Sequence, residues 1–101
     1  MKGSERAGLR AEAHHLDPTV HLGKEGMTPA LIVSLEDALR TRELVKVKLG
    51  KQEDVKPKDV ANALALATGA AVVQVIGRTT TLYRENPDLR RKSGDLPPWR
   101  K

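Results

Sequence analysis

Glu43-Leu44-Val45-Lys46-Val47-Lys48-Leu49 is the stretch that decides the fold class of this 101-residue chain. Val45, Val47 and Leu49 alternate with Lys46 and Lys48, and a period of two sends successive side chains to opposite faces of a strand. One face is therefore buried, and the other is wet and cationic. Such a strand needs partners in a sheet, and the flanking sequence supplies them between helices.

Immediately upstream, Thr28-Pro29 is a helix start, with Thr as N-cap and Pro at the first helical position. Leu31, Ile32, Leu35, Ala38 and Leu39 form the apolar stripe of that helix, which ends near Thr41. Before it, Thr19 to Leu22 is a short strand with Val20 and Leu22 on one face. Gly23-Lys24-Glu25-Gly26 is the tight loop between the two. A first helix spans Glu5 to Leu16 on the spacing of Leu9, Ala13 and Leu16, and Asp17-Pro18 ends it.

Downstream, Gly50 to Lys56 is a polar loop. Pro57 to Thr68 is a helix with Val60, Leu64 and Ala67 on one side and Gly69 as C-cap. Ala71 to Ile76 is β-branched and nearly uncharged, which predicts a central strand. Gly77-Arg78 is a turn, and Thr79 to Arg84 completes a hairpin. The order α-β-α-β-α-β-β predicts a compact two-layer α/β domain with a four-stranded mixed sheet. Strands joined through helices should be parallel with right-handed crossovers, and the last one antiparallel. The domain is expected over residues 1–85, with 86–101 as a flexible basic tail.

Composition narrows the function. Lys and Arg number 18 against 13 Asp and Glu, a net charge of +5. Residues 86–101 hold +3 of it through Arg90, Arg91, Lys92, Arg100 and Lys101 against Asp88 and Asp95. A basic balance favours polyanions, chiefly nucleic acid, although solubility alone also produces one. Phe is absent, and Tyr83 and Trp99 are the only aromatics, so a broad base-stacking platform is excluded. Cysteine is absent too, which removes disulfides, thiolate metal sites and thiol nucleophiles. Met1 to Arg6 is polar and not the start of a signal peptide. No apolar run reaches membrane-span length, so the expected place of action is the cytoplasm.

Catalytic patterns are missing. Ser4, Ser34 and Ser93 lie in no G-x-S-x-G elbow. Glu36 and Asp37 diverge on their helix. His14 and His15 point about 100° apart on a helix and His21 is remote, so no metal site is expected. Neither a cofactor nor a small-molecule substrate is predicted. The Gly23–Gly26 loop is the best binding candidate. Its glycines permit close backbone approach, Lys24 adds charge, and the helix after Thr28 offers unpaired N–H groups to a phosphate. An ordinary turn is the alternative. Lys46 and Lys48 would share an exposed face, either as a phosphate track or as a solvated surface that guards an edge. Arg78 and Arg84 would extend that cationic surface if the fold brings them together.

The run Leu9-Arg10-x-x-Ala13-His14-x-Leu16-x-Pro18-x-Val20-x-x-Gly23-Lys24-x-Gly26-x-Thr28 resembles the opening of a CRM domain (chloroplast RNA splicing and ribosome maturation). Glu43 to Lys48 is similar to its central strand. Gln74-Val75-Ile76-Gly77-Arg78 and Leu82-Tyr83-Arg84 are similar to its closing hairpin. Length and order resemble the bacterial single-domain YhbY type over residues 4–85. The resemblance implies a fold like the C-terminal domain of translation initiation factor three. It also implies association with ribosomal RNA of the large-subunit precursor; the chain itself is expected to be a monomer. Its G-x-x-G loop falls on Gly23, Lys24, Glu25 and Gly26, and its basic surface on Lys46, Lys48, Arg78 and Arg84. Glu25 departs from the pattern and partly cancels Lys24. The competing expectation is a protein-interaction module that docks a partner through its sheet edge.

Overall fold

The computed structural model describes residues 3–23, 26–50 and 56–86. The elements are α1 (Gly3–Ala13), β1 (Val20–Leu22), α2 (Pro29–Arg42), β2 (Leu44–Leu49), α3 (Pro57–Thr68), β3 (Ala71–Ile76) and β4 (Thr79–Tyr83). Their order is the expected one. The sheet runs β1-β2-β4-β3, with β1 parallel to β2 and β4 antiparallel to both β2 and β3. The three strands that precede or follow helices thus share one direction, and β4 alone opposes them.

Local chemistry sets the boundaries. Thr28 Oγ1 accepts the Leu31 N–H at 3.1 Å, and Pro29 opens α2. Gly69 closes α3 in the left-handed conformation. At the end of α2 the chain turns through Glu43, which has φ +64°, costly for a residue with a Cβ. Its bonds hold the corner: Glu43 N–H donates to Leu39 O, its C=O accepts from Arg84 N–H, and its carboxylate accepts from Asn86 N–H.

Two apolar clusters occupy opposite faces of the sheet. Val20, Leu22, Val45, Val47, Leu49 and Leu82 pack under α2 and α3 with Leu35, Leu39 and Leu64. Leu44, Val73 and Tyr83 point the other way and meet Leu9 and Ala13 of α1. Burying each such Leu contributes roughly 1.5–3 kcal/mol. The fold class, element order and mixed sheet stand, but the layering is richer than two: α1 forms a third layer over one end of the sheet. The stripe Leu9, Ala13 and Leu16 announces burial without saying against which face.

Strand β3 is at the edge and not in the centre, because β4 inserts between β2 and β3. Its lack of charge has another cause. Val73 is covered by α1, and Val72 packs against the cluster beneath α2 and α3. A bulge between Val72 and Gln74 allows this division.

Asn86, the first residue past the expected limit of 85, is bonded to the end of α2 and to the corner that follows it. Asn86 Nδ2 donates to Arg40 O at 2.7 Å, in addition to the bond with Glu43. The rest of the expected tail, 87–101, lies outside the described residues.

Candidate nucleic-acid interface

Strands β1 and β2 end side by side, and the loops that follow them meet there. Gly50 N–H donates to Leu22 O at 2.9 Å. A Cβ on Gly50 would stand 2.8 Å from that oxygen and also meet Gly23, so glycine is required for the approach. Across β2, Leu49 N–H donates to Arg78 O, and Arg78 Nη1 returns to Gly50 O at 3.1 Å. Gly23, Gly50 and Arg78 are therefore contiguous at the carboxyl ends of the parallel strands, the usual place for ligands in α/β sheets.

The loop itself is closed by Gly26 N–H donating to Gly23 O and Thr28 N–H donating to Gly26 O, both at 3.0 Å. Gly26 has φ +72°, a conformation that favours glycine. Those two amides are occupied within the loop. Met27 and Ala30 keep N–H groups that find no acceptor among the described residues, beside the positive end of the α2 dipole. An open recess of about 480 Å³ lies against Gly23, Gly26, Thr28, Leu31 and Ser34. Lys24 and Glu25, both named as site residues from the sequence, lie outside the described residues.

Lys46 and Lys48 do share the face opposite α2 and α3. Register places Lys46 opposite Thr81, and Lys48 between His21 of β1 and Thr79 of β4. Their environments differ. Lys48 is exposed, whereas Lys46 is half-buried and its Nζ donates to Leu16 O at 3.0 Å. Lys46 thus also fastens the α1–β1 connection to the sheet.

Arg84 is not brought to this surface. Alternation puts it on the same side as Leu82, towards α2 and α3. There its Nη1 bonds Glu36 Oε2 and Thr68 O, each at 2.7 Å. It clamps three elements together, and its charge is answered by Glu36. Arg10 on α1 and His14 just past its end, by contrast, are exposed beside Lys46. The signal for them was their position one turn apart, flanking the stripe that buries Leu9 and Ala13. His14 and His15 rings stand edge to face, 6.1 Å apart. Among the described residues no His, Asp and Glu side chains gather as a metal site, and no helix is long and apolar enough to cross a membrane.

Residues 1–84 match the CRS1 / YhbY (CRM) domain. The chain belongs to the CRM domain family. This CRM domain is 36% identical over 97 residues to the probable RNA-binding protein YqeI of Bacillus subtilis, covering 96% of this chain and 99% of that one. It is 38% identical over 90 residues to an RNA-binding protein of Haemophilus influenzae, with 89% and 91% covered. The solution structure of the hypothetical protein SAV1595 from Staphylococcus aureus superposes on the CRM domain with a TM-score of 0.74. That match has 35% identity and covers 89% of this chain and 94% of the other.

Proposed function

We propose that this chain binds RNA, and that its target is ribosomal RNA of the large-subunit precursor, where it acts as a cytoplasmic assembly factor and not as a catalyst. The names of its relatives support RNA as the ligand, and the family likeness supports the ribosomal target. In the chain itself, the carrying observation is that Gly23 at the loop end meets Gly50 and Arg78 at the carboxyl ends of β1 and β2, next to the open face that carries Lys48 and Lys46 with Arg10 above it.

The chemistry is phosphate neutralisation combined with fit to a folded RNA. The Met27 and Ala30 amides beside the start of α2, together with Lys24, would take one phosphate, and Lys48 and Arg78 would follow the backbone. Tyr83 is buried, so among the described residues no phenol or indole is offered for stacking. Affinity should fall steeply with salt.

Gel shifts with ribosomal RNA fragments test the reading. Lys24→Glu and Lys48→Glu should each weaken binding on the order of tenfold and lower the salt slope by about 1, with unchanged melting. Unchanged affinity in both variants removes the proposed surface. Association with large-subunit precursors should be lost after full ribonuclease digestion, and survival of that association would favour direct docking on protein.

A further inference from the structure

Between α1 and the uncovered half of the sheet lies a second recess, of about 280 Å³. Arg10, His14, Lys46, Gln74, Ile76 and Thr81 line it. Strand register explains why these side chains converge. Lys46, Thr81 and Gln74 form one row across β2, β4 and β3, and Ile76 belongs to the next row beside Thr79. Arg10 in the last turn of α1 and His14 just past its end stand over the edge of these rows.

Three properties of this recess are unlike a plain surface crease. Thr81 is 3% exposed and its hydroxyl makes no hydrogen bond among the described residues, although it faces the recess. Buried hydroxyls are nearly always bonded. Ile76 is 63% exposed, a large apolar side chain standing in a polar, cationic surround. Gln74 beside it carries both a donor and an acceptor, the pair that reads a base edge. The volume is near the lower bound of ligand sites, about 300 Å³. It suits one base and excludes a helix.

We infer that this recess seats a single unpaired nucleotide of the bound RNA. The inference rests on the RNA-binding reading above and adds to it what part of the RNA is recognised. The base lies against Ile76 and the His14 imidazole, a ring that can stack on bases. Its edge meets the Gln74 carboxamide and the Thr81 hydroxyl. Arg10 and Lys46 at the rim hold the flanking phosphate. The phosphate track alone would accept any RNA of suitable shape, and the seat adds a requirement for an extruded base.

The test uses two RNA hairpins that differ only in one bulged nucleotide. The full-length parent should bind the bulged hairpin about tenfold more tightly than the fully paired one. Gln74→Ala should reduce that preference to about twofold, and Thr81→Val should reduce it at least threefold. Both should keep the parent's affinity for the paired hairpin. Thr81→Val should melt no lower than the parent, because it replaces an unpaired buried hydroxyl with a methyl group. A parent without preference, or variants that keep it in full, would overturn the inference, as would equal loss on both hairpins. Free nucleoside monophosphates should not displace the bulged RNA below millimolar concentration, and displacement at micromolar concentration would assign the recess to a free nucleotide instead. A parent that binds neither hairpin would remove the RNA reading itself, and the seat with it.

Discussion

The two faces of the sheet are built from the same strands and do opposite things. Beneath α2 and α3, Val45, Val47, Leu49 and Leu82 are sealed from water by Leu35, Leu39 and Leu64. On the other face α1 covers only Leu44, Val73 and Tyr83, leaving Lys48, Thr79 and the recess open. One residue of offset along β2 separates a position that holds the fold from one that meets a ligand. The difference teaches that stability and binding can be changed almost independently here, provided a substitution respects the pleat.

The largest effect should come from the sealed face. Leu82 is fully buried in the central strand β4. Leu82→Ala should cost about 2–5 kcal/mol through lost transfer energy and a residual cavity. Urea unfolding measures that loss, and RNA affinity per folded molecule should be unchanged. A specific loss of affinity in the folded fraction would break the separation of the faces.

Two arginines flanking β4 sharpen the contrast further. Arg84 bonds Glu36 and Thr68 on the sealed side, and both partners in the ion pair are partly exposed. Arg84→Met should therefore cost about 1.5 kcal/mol of stability, less than a buried pair would, and leave RNA affinity within about twofold. Arg78→Met should do the reverse, lowering affinity a few-fold with stability within about 0.5 kcal/mol. Equal effects of the two on RNA binding would mean that Arg84 leaves its clamp to join the interface.

Much of this was legible along the chain because its signals are local. Thr28-Pro29 and Gly69 fix helix ends, and the spans Pro57–Thr68 and Ala71–Ile76 occur where expected, although Ala67 is exposed and α3 buries Ala61, Ala65 and Thr68 beside Leu64 instead. What was not legible depends on pairing between distant segments. The edge position of β3 follows from β4 inserting beside β2, and no property of Ala71–Ile76 encodes that. Lys48 could be read from alternation within its own strand, whereas Arg84 follows the last residue of β4 and its face depends on where α2 and α3 lie. Gln74 and Thr81 were silent because each is unremarkable alone, and only the register sets them beside Lys46.

The smallest effect probes the point where the two functions meet. Helix α2 belongs to the sealed side, yet its first turn lies against the Gly23–Gly26 loop, and Thr28 borders the loop recess. Thr28→Ala removes the acceptor for the Leu31 N–H and should cost about 1 kcal/mol. Because the cap also fixes where the chain leaves the loop, RNA affinity should drop about two- to threefold in the same variant. Thr28→Ser keeps the hydroxyl and should restore both quantities. If Thr28→Ala lost stability but kept full affinity, the loop would be held by Gly50 and Arg78 alone, and the boundary between the faces would lie at the loop and not within the helix.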